Sequence, residues 1–249
     1  MKEIYQGTPF RQLLRPVPDD GNQHLYTLDG NPNYVVRQNR IIVSEGVPQL
    51  NKIDIAEALF EELERDYGIH VVPFDTVVGL GEDNLTSAFM IVDKVKGAEL
   101  PKAQVSEQEA KEFFSNLLRY HIDKFEQGGF FLCDLNPDDF MYGNTEKDTT
   151  KKVYLVDLDQ FYEFFDDLNP NQKNEYFSTN LEGLNDILNT LEKNSKSDLG
   201  GLREDYLAFL RRIRNLLHPA DQETIDSILE NNRKLTTEDM GVGLQEPRF

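Results

Sequence analysis

At 249 residues the chain is long enough for one large domain or two small lobes with a real core, and 39% hydrophobic and 10% aromatic residues exclude a disordered chain. A formal charge of -19 argues against a general nucleic-acid binder, because phosphate backbones recruit lysine and arginine. The single cysteine, Cys133, cannot form an internal disulfide. Met1 to Leu13 lacks the apolar stretch of a secretory leader, and no run approaches the roughly 20 apolar residues of a membrane helix, so a cytoplasmic protein without a membrane span is expected.

Residues 1 to 20 are polar and proline-bearing and lead to a first strand. Leu25, Tyr26 and Leu28, the turn DGNPN, and Tyr34 to Arg37 read as an antiparallel ribbon. Arg37 ends an apolar strand and would project a permanent cation from a sheet. Ile53, Ala56, Phe60, Leu63 and Tyr67 recur at helical spacing, and Gly68 is placed to stop that helix. Glu57 and Glu64 flank its apolar stripe and are placed to lean toward a neighbouring sheet. Two strand-like runs follow, His70 to Val78 and Ala88 to Val92, with a turn at GLGEDN between them. The stretch DKVKGAEL reads as a linker, giving an N-terminal lobe over 1–93 and a mostly helical lobe over 94–249.

Ser106 followed by Glu109 is a capping box, and Phe113, Phe114, Leu117, Leu118, Ile122 and Phe125 mark the buried face of the helix it opens. Gly128 and Gly129 end it. Beyond the central stretch, helices are expected over Glu175 to Glu192, Leu202 to Leu217 and Pro219 to Leu235, with an aperiodic tail from Thr236.

The chemistry concentrates between 128 and 161. Two short apolar runs, FFL and VYLV, each deliver an acid at or just past their ends, Asp134 and Asp157, and a further acid, Asp139, lies in the proline-containing loop after the first. Read as a paired ribbon, the two strands bring their carboxylates together, and hard oxygen ligands suit magnesium and a polyphosphate. DLNPDD fails as a calcium-binding EF-hand loop, because its sixth position is Asp139 and its twelfth Thr145. DLD lacks the preceding nucleotide-binding βαβ unit of a sugar transferase. The four histidines are scattered, with His121 and His218 expected on helices as ordinary polar or core residues, and Cys133 reads as a small buried hydrophobe.

With these motifs in this order, the chain resembles the protein-kinase-like fold, especially its aminoglycoside-phosphotransferase and lipopolysaccharide-kinase type branches. The resemblance implies an α+β bilobal fold, with a small antiparallel sheet and one helix in the first lobe and a mostly helical second lobe. It implies ATP and Mg2+ as cofactors, and a small-molecule or protein hydroxyl as acceptor. LCDLNPDDF then puts Asp134 at the catalytic aspartate and Asp139 at the metal-binding amide. YLVDLDQF puts Asp157 at the metal-binding aspartate, with Asp159 two residues on. Arg37 stands at the strand-borne lysine that contacts phosphate. Glu57 is its expected helix partner, with Glu61 a rival, and Val92 to Lys96, Asp93 and Val95 above all, would serve the adenine ring.

The departures fall on functional positions. Arginine replaces lysine at Arg37, which changes the phosphate geometry. Asp139 replaces asparagine and adds charge, Leu132 replaces the loop histidine, and the glycine-rich loop shrinks to Gly21 within acidic DDGNQH. No activation segment follows Asp159. A phosphotransferase and a pseudokinase, which binds or scaffolds without turnover, are therefore both open, as is transfer of a nucleotidyl group.

Overall fold

The computed structural model describes residues 10–17, 25–40, 43–44, 47–48, 51–80, 86–128, 131–132, 134–157, 161–162, 170–196, 199–217 and 219–241. Gly21, His24, the turn over 81–85, Gly129, Cys133, Asp159 and His218 lie outside the described residues. The chain forms two compact units, one of Met1–Ala98 with Met141–Leu158, the other of Glu99–Phe140 with Asp159–Phe249.

The first unit holds strands Leu14–Pro16 (β1), Leu25–Leu28 (β2), Asn31–Arg40 (β3), the small hairpin Val43–Ser44 (β4) and Val47–Pro48 (β5), helix Asn51–Glu62 (α1), then His70–Val71 (β6), Phe74–Leu80 (β7) and Thr86–Asp93 (β8). A five-stranded antiparallel sheet runs in the order β1-β2-β3-β8-β7. Its register puts Val36 opposite Ile91 and Tyr26 opposite Val36, so one face gathers Tyr26, Val36, Phe89 and Ile91 with Leu14 and Leu28 into an apolar cluster. The other face carries Phe74, whose ring meets Phe60 of α1 edge-on at 5.6 Å. The helix continues through a π-helical turn, Leu63–Tyr67, and stops at Gly68.

His70 to Val78 reads as one strand in the sequence, and the structure divides it. Pro73 has no N–H for a ladder, and its carbonyl accepts from the Asp93 N–H at 2.8 Å, while the Val72 N–H donates to the Leu155 carbonyl. The residues before the proline thus leave the antiparallel sheet for a second one. That second sheet is built from β6, Lys96–Glu99 (β9), Phe140–Asn144 (β11) and Lys152–Leu155 (β12) in the order β6-β12-β11-β9, with β6 and β12 parallel. The expected linker after Val92 is therefore largely strand.

The expected ribbon of FFL with VYLV is also corrected. Phe131–Leu132 (β10) pairs with Phe161–Tyr162 (β13), whereas β12 pairs with β6 and with β11, the FMYGN segment that follows the proline-containing loop. Aromatic and apolar residues alternating through FMYGN suit a strand, and a partner was at hand in VYLV.

The second unit is helical around β10 and β13: Glu107–Gln127 (α2), Pro170–Ser195 (α3), Gly200–Ile213 (α4) and Pro219–Gly241 (α5). Ser106 is the N-cap of α2 and accepts from the Glu109 N–H, the first of the two bonds of the expected capping box. Phe113 meets Phe140, Phe114 meets Tyr206 and Phe125 meets Phe209, all edge-on, and Leu181, Leu184, Ile187, Leu188 and Leu191 of α3 are fully buried. Arg203 of α4 reaches Glu192 and Asn189 of α3 and Asn232 of α5, tying three helices together. The last helix runs six residues into the tail expected to be aperiodic. No helix among the described residues is long and apolar enough to cross a membrane.

Candidate functional site

In the first unit, Arg37 occupies the sheet's middle strand, β3, in register between Leu25 of β2 and Met90 of β8. Strands on both sides fix its backbone. Successive residues of a strand face opposite ways, so Arg37 points away from the face of Val36 and Ile91. Its Nη1 donates to Asp157 Oδ1 at 2.7 Å, across 120 residues of sequence, and the two side chains are only 19% and 28% exposed. Asp157 follows β12 by two residues, so a second sheet delivers the acid to the cation of the first. Glu57 is exposed on α1. Within Val92 to Lys96, Asp93 and Val95 are buried, at 4% and 5% exposure. The Lys94 N–H donates to the Asn33 carbonyl at 2.7 Å, which ties this stretch to β3. Lys147, in the turn between β11 and β12, donates to Asp93 Oδ1 at 3.2 Å, while Asp93 Oδ2 is buried without a partner among the described residues.

In the second unit, Asp134 is exposed and has φ 56, a left-handed conformation uncommon outside glycine. The chain after it is tightly organised. Asn136 caps a single turn of 3-10 helix, Pro137–Asp139: its side chain accepts from the Asp138 N–H, Asp139 Oδ2 accepts from the Asn136 N–H at 2.8 Å, and Asp139 Oδ1 accepts from Asn136 Nδ2 at 3.0 Å. Asn136 Nδ2 also reaches the Asp134 carbonyl at 3.4 Å. The sequence NPDD explains the turn, with asparagine as cap, proline at the first helical position and aspartate returning the cap. Asp139 is thereby buried and fixed.

Within either unit, no three His, Cys, Asp or Glu side chains among the described residues are grouped to hold a metal ion. Magnesium asks for less, since one or two carboxylates together with substrate phosphates commonly suffice. Asp157 in the first unit and Asp139 in the second are each a hard oxygen donor whose orientation its neighbours set, and a carboxylate oxygen has two lone pairs, so a hydrogen bond does not exclude coordination. Taken singly, each has donor chemistry that fits magnesium.

Sequence reading missed what stands behind Asp134. His121, buried in α2, donates from Nδ1 to the Leu117 carbonyl at 2.8 Å, and its Nε2 meets the side-chain amide of Asn180, in α3, at 3.3 Å. Asn180 in turn bonds the Leu132 carbonyl and the Leu135 N–H. No local pattern announces a contact between residues more than forty apart. Burial pushes the His121 imidazole down to about 4 from its ordinary 6.5. The unfolded chain therefore binds a proton that the folded chain does not between these two values. This contribution to stability is complete above about 6.5 and is lost as pH falls toward about 4, by up to ~3 kcal/mol. Melting midpoints should fall across that window, and His121→Phe should flatten the slope; an equal slope in both proteins would assign the acid sensitivity elsewhere.

No protein-family model matches the sequence, and no curated protein matches it. The architecture is α+β, an N-terminal antiparallel sheet with one helix followed by a helical part. Among solved structures, the chain is similar to the kinase PK-1 of Cydia pomonella granulovirus, with a TM-score of 0.46, 12% identity and coverage of 92% of this chain and 91% of that one. It is similar also to WbdD, with a TM-score of 0.34 and 14% identity over 89% of this chain and 51% of that one, about half of its length.

Proposed function

We propose that the protein is an ATP- and magnesium-dependent phosphotransferase acting on a hydroxyl of a small molecule or a protein, in the reducing, cytoplasmic setting its lone cysteine suggests. The observation that carries this reading is the Arg37–Asp157 pair, which joins a strand-borne cation to an acid 120 residues away at a partly buried point. Two such opposite charges side by side suit a phosphate and its counter-ion respectively. Asp157 is assigned to magnesium, which when bound neutralises charge on the nucleotide phosphates, and Asp139 and Asp159 each carry a carboxylate of the same donor type. Arg37 binds phosphate through its planar fork, Glu57 supports it from α1, and Asp93 and Val95 offer backbone groups to the base. Asp134, exposed on a fixed loop, orients the acceptor hydroxyl and takes its proton.

Turnover is tested with radiolabelled ATP and a library of hydroxyl-bearing metabolites. Asp134→Asn keeps a residue type that tolerates the left-handed backbone, so it removes the base with little disturbance. Its rate should fall about 10²- to 10⁴-fold. Full activity in Asp134→Asn would remove the role assigned to this aspartate.

The same ion pair favours a second reading, a nucleotide-binding or scaffolding pseudokinase. Arg37, paired with Asp157 at 2.7 Å, already balances that carboxylate without a metal. Nucleotide binding without turnover of any acceptor would establish that reading.

A further inference from the structure

Asp134 holds a left-handed backbone conformation uncommon for a residue with a side chain, and such a conformation persists where the surroundings enforce it. The enforcing groups can be named. Asn180, fully buried in α3, brackets the aspartate: its Nδ2 donates to the carbonyl of Leu132, two residues before, and its Oδ1 accepts from the N–H of Leu135, one residue after, at 3.3 Å. The Leu132 N–H donates to the Tyr120 hydroxyl at 2.9 Å, so the strand leading into Asp134 is held on both of its polar groups. The orientation of the Asn180 amide is itself set. His121 uses its Nδ1 proton on the Leu117 carbonyl, which leaves Nε2 as an acceptor for the amide's second N–H. A flipped amide would turn its oxygen toward both the Leu132 carbonyl and His121 Nε2. A buried carboxamide is costly unless every partner is met, and here the partners are the backbone on either side of one exposed acid.

We propose that Asn180, oriented by His121, is the positioning residue for Asp134: it grips the chain on both sides of that aspartate and so fixes where the carboxylate is presented. The catalytic consequence rests on the reading of Asp134 as the base. Asn180 touches no substrate, and its effect passes through the backbone.

The test follows amide hydrogen exchange at Leu135 together with steady-state ATP turnover in the full chain. In Asn180→Ala, exchange at Leu135 should accelerate at least about 10-fold. The kcat should drop about 10²-fold, as a misplacement of about 1 Å can do, while KM for ATP stays within about twofold. Adding Asn180→Ala to Asp134→Asn should cost nothing further, because both act through one group. Wild-type exchange at Leu135 in a folded Asn180→Ala overturns the proposal. So does an additive loss in the double variant, or an unchanged kcat while Asp134→Asn is inactive. Should Asn180→Ala fail to fold, His121→Phe leaves Asn180 in place and removes only its orienting acceptor. Leu135 exchange and kcat should then move the same way by smaller factors, and wild-type values for both overturn it. Faster exchange at Leu135 combined with full turnover in Asp134→Asn would uphold the grip and defeat the catalytic reading of Asp134 instead.

Discussion

Gly183→Ala should lower the melting midpoint by roughly 6–12 °C, from a loss of about 3 kcal/mol. Helix propensity alone argues the reverse, since glycine inside a helix such as α3 is about 1 kcal/mol worse than alanine. Space decides against it. A Cβ on Gly183 would sit 1.7 Å from the Leu135 carbonyl oxygen and 2.8 Å from its carbon, and backbone has no rotamer by which to move aside. Either α3 lifts from the loop or the loop shifts, and both disturb the segment next to Asp134. Gly201, near the start of α4, is the control, because an added Cβ there meets nothing within 4 Å. Gly201→Ala should be neutral or gain about 0.4–1 kcal/mol by restricting the unfolded chain. Circular-dichroism melts of the two variants decide the matter, and a Gly183→Ala midpoint at or above wild type would show that α3 and the loop are not in contact as described.

The contrast between these two glycines also marks what the sequence could convey. Both lie in helical segments, and no periodicity tells which one a distant carbonyl crowds. Elements whose signals are local were legible: the N-cap at Ser106, the antiparallel ribbon of β2 and β3, the stop at Gly68 and the four C-terminal unit helices, because caps and apolar spacing act within a few residues. Partner choice between strands was not legible. FFL and VYLV look like mates from their composition, yet β10 takes β13 and β12 takes β6 and β11, choices made by competition among several apolar segments. Among the candidate residues, Asp134 and Asp157 stood out by their places after apolar runs, and Asp139 by its place in the proline-containing loop. The groups that fix them did not: Arg37 as the neighbour of Asp157, Asn136 as the holder of Asp139 and Asn180 behind Asp134 depend on tertiary contacts or on one turn's geometry.

ATP with magnesium should raise the melting midpoint of the wild type and leave Asp157→Ala unmoved. At a hundredfold excess over the dissociation constant the gain is about 2.7 kcal/mol, or roughly 5–11 °C for a chain of this size. Arg37→Met should weaken the same shift, since it removes the phosphate-binding fork, and should lower the ligand-free midpoint too. The partly buried Asp157 then loses its guanidinium partner, which costs about 1–3 kcal/mol. Combining Arg37→Met with Asp157→Asn removes the stranded charge, so the double variant should be more stable than the sum of the two single losses by about 1 kcal/mol or more. This cycle measures the pair without nucleotide and the shift measures it with nucleotide, and the role of magnesium separates the two functional readings. A phosphotransferase that uses Asp157 for a metal should lose most of its shift when magnesium is withheld. A scaffold in which Arg37 already balances Asp157 should keep it, because no carboxylate there is left needing a cation before phosphate can approach.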